Sequence, residues 1–255
     1  MSGVVIHTAE EIVRIRIAAQ ATAWVREELR KQILPGMSTL DVDRLAGMLI
    51  MQTGGTSSFL GYNGFPGNIC VSINDTVVHG IGSDNVIIGE NDILSIDLGV
   101  TLNGATGDTA ITLAFRENLP EEVKNLLHRT EESLHAGIKQ ARKGNFVRNI
   151  SAAVEAVGKK AKLGIVRQYV GHGCGIKLHE EPEIPNFVVP GNRGPRLVPG
   201  MVLAIEPMFN LGAHQVYIEP DRWTVRTRDG SLSAHFEHQV LITENEPEIL
   251  TCPKM

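Results

Sequence analysis

Asp97 and Asp108 lie in Asp92-Ile-Leu-Ser-Ile-Asp97-Leu-Gly-Val-Thr-Leu-Asn103-Gly104-Ala-Thr-Gly-Asp108-Thr-Ala-Ile-Thr-Leu-Ala-Phe115. This segment is two β-patterned runs joined by Asn-Gly, the strongest short hairpin signal. If residues 103 and 104 form the turn, Asp97 faces Ala110 and Asp108 faces Gly99. The two carboxylates are then diagonal neighbours on one face, about 7–8 Å apart. Carboxylates that close in an apolar sheet repel each other and lose hydration, so they call for shared protons, basic partners or metal ions. Either acid alone could cap a turn or stay solvated. With both on one face, that reading and the chemical one are evenly weighted.

A second pair follows. Glu206 ends the apolar run Val202-Leu-Ala-Ile-Glu206-Pro207, and Glu237 sits in Ala234-His-Phe-Glu237-His-Gln-Val-Leu-Ile-Thr243. Pro207 stops ladder hydrogen bonding, so Glu206 alone could also be a charge at a strand end. His172 is flanked by Gly171 and Gly173, which let backbone approach another group closely. A lone histidine there also fits a solvated turn. His79, at the end of Val77-Val78-His79-Gly80, is equally ambiguous alone, and His235 and His238, flanking Glu237, read as structural.

One arrangement uses these groups together. Asp97, Asp108, Glu206 and Glu237 carry four negative charges that balance two divalent cations, with His172 as a neutral donor. Bridging carboxylates can hold two ions roughly 3.5–4 Å apart. An oxygen-rich set favours Mn, Fe, Co or catalytic Zn over a thiolate site. Other chemistries lack their signatures. His179-Glu180-Glu181-Pro182-Glu183 fails the His-Glu-x-x-His pattern, and there is no phosphate-cradling loop, no Gly-x-Ser-x-Gly elbow and no deaminase signature.

The elements that must place these residues recur in order. Thr8-Ala-Glu-Glu11 reads as a capping box opening a helix to about Gln32, with Ile12, Ile15, Ile17, Ala18, Ala21, Trp24, Val25 and Leu29 as its apolar side. Pro35-Gly36 breaks it, and Ser38-Thr39-Leu40-Asp41 opens a second helix to about Gln52. Strand-like runs follow at 69–73, 76–79, 92–100 and 107–115. The pattern then repeats: a helix from 119–122 to about Lys143, another from about Arg148 to Ala161, and runs at 164–170, 201–209, 214–219, 223–227 and 234–243. Superposing Gly36 on Gly144, an offset of 108, lays helix on helix and strand on strand, and puts Asp97 one position from Glu206. The expectation is an α+β fold, residues 1–255 forming a single catalytic domain of two helix–helix–sheet halves, about 1–117 and 118–255, with a ligand cleft between them.

With 255 residues the chain is long enough to bury a core without staples. Lys and Arg number 24 against 29 Asp and Glu, a net charge of −5 that argues against a broad basic surface for nucleic acid. Three widely spaced cysteines, Cys70, Cys174 and Cys252, exclude a disulfide framework or zinc finger and point to a reducing compartment. The first 20 residues include Glu10, Glu11, Arg14 and Arg16 and have no signal-peptide apolar core. The long uncharged run from Leu45 to Asn74 contains Gln52, Asn63, Pro66 and Asn68 and cannot be one membrane-spanning helix. The expected location is the cytoplasm.

At these residues the chain resembles the type I methionine aminopeptidases, metallopeptidases of the pita-bread fold. The likeness covers nearly the whole chain. It is carried by Gly61-Tyr62-Asn63-Gly64-Phe65-Pro66, Ser72-Ile73-Asn74-Asp75 with Val78-His79-Gly80, Ser95-Ile96-Asp97, Gly107-Asp108-Thr109, Gly171-His172-Gly173 with His179-Glu180-Glu181-Pro182, Ile205-Glu206-Pro207-Met208 and Ser233-Ala-His-Phe-Glu237-His238. The resemblance implies two pseudo-symmetric halves around a central antiparallel sheet with helices on its outer face. It implies Asp97, Asp108, His172, Glu206 and Glu237 as ligands of two divalent ions (Co, Mn, Fe or Zn), with Asp97 on one, His172 and Glu206 on the other, and Asp108 and Glu237 bridging. It further implies removal of an N-terminal methionine from peptides and nascent proteins, with a small second residue preferred, by attack of a metal-bridging hydroxide. Glu206 becomes the proton shuttle, His179 the oxyanion stabiliser and His79 a contact to the scissile amide. Phe59, Tyr62, Phe65, Cys70, Leu178, Met208 and Trp223 become the methionine pocket, a soft lining that suits a thioether.

Three positions depart from the family pattern: Asn63 stands for the usual His, Gly67 for a frequent Lys and Cys174 for a common Ile. They bear on the pocket and leave the ligand set whole. The implied partner is a peptide or nascent-chain N-terminus, with a transient ribosome contact open; the expected protein is a monomer with no nucleic-acid specificity and no membrane association. The 96 residues before Asp97 are too few for the extra domain of a prolidase or Xaa-Pro aminopeptidase, and intact ligands argue against a metal-free binding module.

Overall fold

A computed structural model describes residues 3–253. Helix α1 (Ala9–Gln32) starts at Thr8, whose side chain accepts the Glu11 N–H while the Glu11 carboxylate accepts the Thr8 N–H. Helix α2 (Thr39–Gln52) repeats the device with Ser38 and Asp41. Both boxes satisfy N–H groups that helical bonding leaves orphaned. After them come β1 (Thr56–Ser57), β2 (Cys70–Ile73), β3 (Thr76–Val78), β4 (Ile93–Leu102) and β5 (Ala105–Ala114). The second half runs α3 (Glu121–Ile138), α4 (Val147–Ala161), β6 (Gly164–Ile165), β7 (Gly171–Gly173), β8 (Glu180–Ile184), β9 (Val202–Ile205), β10 (Met208–Asn210), β11 (Val216–Ile218), β12 (Val225–Thr227), β13 (Ser233–His235), β14 (His238–Leu241) and β15 (Glu248–Ile249).

The two halves place corresponding triplets of antiparallel strands side by side. In the first, β4 lies between β2 and β5; in the second, β9 lies between β7 and β14. The turns before α2 and α4 also correspond: Gly36 and Gly144 are both left-handed, and Ser38 pairs with Ile87 as Phe146 pairs with Arg196. Apolar faces of α1 and α2 (Val25, Leu29, Val42, Ala46, Leu49) pack on Ile69, Val71, Leu94, Ile96 and Leu98. Those of α3 and α4 (Leu126, Leu134, Ile150, Val154) pack on Leu203, Ile205, Phe209 and Val240. A smaller cluster joins Ile15, Ala18 and Ala19 of α1 to Val202 and Leu241 of the second half. No helix among the described residues is long and apolar enough to cross a membrane.

Several boundaries differ from the sequence reading, each for a local reason. Helix α3 ends at Ile138, well before Lys143, because the Gln140 and Ala141 N–H groups turn back to Gly137 and Ile138, and Gly144 donates to Leu197. The runs 201–209 and 234–243 each split in two at a glutamate. Pro207 cannot donate at the first break, and at the second the Glu237 N–H leaves its own strand for the Ala110 carbonyl of β5. The run 164–170 is strand only over two residues, and β7 and β8 lie in Gly-rich and acidic stretches that carry no strand signal. Ile17 and Trp24, counted on the apolar side of α1, are exposed.

Candidate functional site

The β4–β5 hairpin turns at Asn103-Gly104, both left-handed, and its register pairs Asp97 with Ala110 and Gly99 with Asp108. The diagonal placement expected from the sequence is thus realised. The two breaks in the second half then turn Glu206 and Glu237 toward the same space, where His172 arrives from β7. The glycines around His172 have a packing cause. A Cβ at Gly171 would collide with the Ala204 carbonyl of β9, and one at Gly173 would lie 2.5 Å from the Glu181 carbonyl of β8. Only bare backbone fits between those strands, so the one side chain β7 sends into the cavity here is the imidazole.

Burial dominates the electrostatics. Desolvation, opposed by His235 and reinforced by the Glu206 charge, raises the Asp97 carboxyl to about 7. Desolvation raises Glu206 to about 8. Asp108 is pushed well above the carboxylate range by burial and by the charges of Asp97 and Glu206, and Glu237 likewise by burial and by those of Asp108, Glu206 and Asp97. Burial, followed by His179, drives His172 down to about 3, so it is a neutral imidazole. Its Nδ1 is 2.9 Å from the Gly173 carbonyl, which can only accept, so Nδ1 carries the proton. The lone pair on Nε2 therefore faces Glu206 Oε1 at 3.4 Å and Asp108 Oδ2 at 3.8 Å.

Acceptors facing acceptors in a buried site need protons or a cation between them. Asp108 Oδ1 and Glu237 Oε1 are buried with no hydrogen-bond partner. One ligand atom each from Asp108, His172 and Glu237 lies within 4.8 Å of the others. This donor set, one neutral imidazole with carboxylate oxygens, suits a catalytic divalent cation. Asp97 and Glu206 line the same cavity but fall outside that tight trio.

The cavity has a volume of about 560 Å³ and is lined by every site residue expected from the sequence: Phe59, Tyr62, Phe65, Cys70, His79, Asp97, Asp108, His172, Leu178, His179, Glu206, Met208, Trp223 and Glu237. Phe59, Phe65, Cys70 and Leu178 form one buried apolar cluster with Tyr62 and Trp223 against it, while Met208 packs with Val77, Val78 and Val225. His79 is held left-handed at φ 58 by the tight approach of Gly80 to Val71, and burial lowers its imidazole to about 4. His179 is exposed, with Nδ1 2.8 Å from the Tyr62 hydroxyl and its ring 4.2 Å from that of His172. Of the departures, Asn63 lines the cavity, whereas Cys174 is buried behind it against Gln239.

Two residues emerge that the sequence did not single out for the site. His235 is buried, with Nε2 3.5 Å from Glu206 Oε2, although its position beside Glu237 reads as structural. His238, read the same way, faces away and meets the Thr251 hydroxyl at 2.9 Å. Arg26 of α1 is a buried cation that donates to Thr109 Oγ1 at 2.7 Å, and Thr109 in turn donates to the Glu237 carbonyl at 2.9 Å. The signal for Arg26 would have been a charge on the buried side of an amphipathic helix.

Comparison with known proteins agrees with this geometry. Residues 13–244 match metallopeptidase family M24. Methionine aminopeptidase 1 of Bacillus subtilis is 47% identical over 248 residues, covering 97% of this chain and 99% of that protein. The methionine aminopeptidase of Clostridium acetobutylicum is 45% identical, covering 97% and 98%. The crystal structure of methionine aminopeptidase from Thermotoga maritima superposes with a TM-score of 0.93 at 40% identity, covering 97% of this chain and 99% of that one. Prolidase from Pyrococcus furiosus gives 0.78 at 22% identity, with 98% of this chain and 66% of that one covered, a likeness of fold alone.

Proposed function

The chain belongs to metallopeptidase family M24, and from that premise we propose that it is a metal-dependent methionine aminopeptidase of the pita-bread fold, removing the N-terminal methionine from peptides and nascent proteins. The observation that carries this is the trio Asp108, His172 and Glu237, its two carboxylates buried with orphaned oxygens, opening directly onto an apolar pocket. We assign Asp97, Asp108, His172, Glu206 and Glu237 to two divalent ions, since four carboxylates balance two such charges. The candidates are Co, Mn, Fe and Zn, as oxygen-rich sites select mainly by geometry and availability. Bound there, the ions supply Lewis acidity, polarising the scissile carbonyl and acidifying water.

The chain's own groups do the rest. The methionine side chain enters the pocket of Phe59, Tyr62, Phe65, Cys70, Leu178, Met208 and Trp223, where a flexible thioether meets aromatic edges and sulfur. Glu206 takes a proton from attacking water on its carboxylate and passes it to the leaving amine. His179, oriented by Tyr62, faces the developing oxyanion, and neutral His79 meets the scissile amide. Residues 1–255 act as one catalytic domain in this reading. A small second residue is preferred, and the unpaired cysteines Cys70, Cys174 and Cys252 support a cytoplasmic setting.

The test is methionine release from Met-Ala-Ser, with Met-Lys-Ser and proline-containing peptides alongside, on chelated protein before and after addition of Mn or Co. Metal-dependent cleavage of Met-Ala-Ser alone is the expected result. No cleavage with any metal, in folded protein, overturns the assignment.

A further inference from the structure

The segment before α1 and the turn that presents His179 are joined by one buried pair. His7 Nε2 lies 3.1 Å from Glu180 Oε2, with the two side chains 1% and 4% exposed. The other oxygen, Glu180 Oε1, accepts the backbone N–H groups of Ile176 at 2.9 Å and Lys177 at 2.8 Å, so this carboxylate closes the turn from inside. Gly175 opens the turn flat against the imidazole, where a Cβ would sit 2.5 Å from His7 Nε2. The His7 backbone is itself fixed, donating to the Gly200 carbonyl at 2.9 Å, and Val4 bridges to Glu181. The turn carries Leu178 and His179 into the cavity, whose wall Glu180 also reaches; His7 does not line it.

We propose that His7 is a positioning residue for the reaction: through Glu180 it holds the 175–180 turn so that Leu178 and His179 face the substrate. A carboxylate this enclosed needs both oxygens faced by polar groups, and His7 Nε2 is what faces Oε2, so removing the ring strips that side of the carboxylate. The cheapest relief is for Glu180 to swing toward solvent. That movement releases the Ile176 and Lys177 N–H groups and lets the turn open, displacing His179 without touching Asp97, Asp108, His172, Glu206 or Glu237. The roles of Leu178 and His179 rest on the function proposed above.

The experiment uses full-length, metal-loaded protein carrying His7→Gln, whose side chain does not reproduce the ring's span to Glu180, and His7→Lys, whose ammonium can reach the Glu180 carboxylate. Mn binding is followed by calorimetry, Met-Ala-Ser cleavage by steady-state kinetics, and the His179 ring by NMR on protein loaded with diamagnetic Zn. His7→Gln should bind Mn as the parent does, lose about tenfold or more in kcat/KM, and show shifted or broadened His179 signals. His7→Lys should recover most of both, and serves alone if His7→Gln fails to fold. Parent-like kcat/KM and His179 signals in folded His7→Gln overturn the proposal, whatever its melting temperature. So does a folded His7→Lys with the His179 signals displaced. If the parent protein itself releases no methionine, the functional reading fails, while the His179 signals still report on positioning.

Discussion

Gly107 is where α1 rests on the hairpin that carries Asp108, and replacing it tests whether helix packing sets the site. A Cβ at this position would lie 2.6 Å from Ala19 Cα and 2.7 Å from the Ala18 carbonyl, with Thr22 Oγ1 closer still. Ala18 and Ala19 are fully buried, so the obstacle is helix backbone rather than a side chain that can rotate away. Relief requires α1 and β5 to separate by several tenths of an ångström. Overpacking of this kind costs roughly 1–3 kcal/mol, and a backbone obstacle places Gly107→Ala near about 3 kcal/mol. For a protein of this size that is a fall of about 6–12 °C in melting temperature. The residue next in sequence is Asp108, so the same displacement reaches the site, where a misplacement of about 1 Å costs on the order of 10²-fold in rate. Gly144→Ala is the control: at φ +89 with nothing within 4 Å it carries backbone strain alone, about 1 kcal/mol, and lies outside the cavity. Urea denaturation with Met-Ala-Ser kinetics at saturating Mn reads both quantities. Gly107→Ala as stable and as active as Gly144→Ala would refute the reasoning.

Thr8→Ala removes one arm of the first capping box, in which the Glu11 N–H donates to Thr8 Oγ1 at 3.2 Å; the urea midpoint should fall by the equivalent of about 1 kcal/mol with an unchanged slope. Chelation should destabilise the protein, and Mn at about 100 times its dissociation constant should restore about 2.7 kcal/mol, a shift in melting temperature that scanning fluorimetry resolves. An unchanged melting temperature would count against a metal site. Glu206→Gln should fold and lose turnover, and substantial residual activity would remove the proton-shuttle role. The pH dependence follows from the same residue: Glu206 is raised to about 8 in the folded state, so the native protein holds a proton there that the unfolded chain, with its carboxyl near 4.5, has lost. Its contribution is therefore fully present below about pH 4.5 and is lost as pH rises through 8. Metal-free parent protein should lose stability relative to Glu206→Gln between about pH 4.5 and 8 in urea titrations and level off above, and parallel profiles would contradict the burial of this acid.

The legible parts of the sequence were those where local chemistry and tertiary need coincide. Thr8 with Glu11 and Ser38 with Asp41 announce helix starts because the cap bonds are local, and Asn103-Gly104 fixes a register because a two-residue turn leaves no slack. That register alone placed Asp97 and Asp108 on one face. The less legible parts depend on partners far along the chain. Strand β8 consists of Glu180, Glu181, Pro182, Glu183 and Ile184, and nothing local marks it as strand; it exists because β7 offers bare glycine backbone to pair with. Helix α3 looked longer because its tail is helix-compatible, yet the Gly144 N–H is claimed by Leu197, more than fifty residues later. Arg26 and His235 were missed for the same reason, since their roles appear only when Thr109 and Glu206 are folded against them.

The division of the site between the halves has a consequence for how it forms. Residues 97 and 108 come from one hairpin, and 172, 206 and 237 come from the second half, so neither half alone holds the Asp108–His172–Glu237 trio. The physical stitch is small: Glu237 donates its N–H to Ala110 at 3.0 Å, Thr109 Oγ1 donates to the Glu237 carbonyl at 2.9 Å, and Thr112 bonds the His235 backbone. Each bond runs from β5 to the segment around Glu237, and each lies within five residues of a carboxylate that repels its neighbours when no cation is present. Opening of this seam and loss of metal are therefore coupled, because separating β5 from residues 235–237 takes Asp108 away from Glu237. Hydrogen exchange at the Glu237 and His235 amides should accordingly slow when Mn is added, while the buried amide of Ile96, bonded within the first half, should change far less. Equal slowing at all three would mean that the cation stabilises the fold globally rather than at the seam.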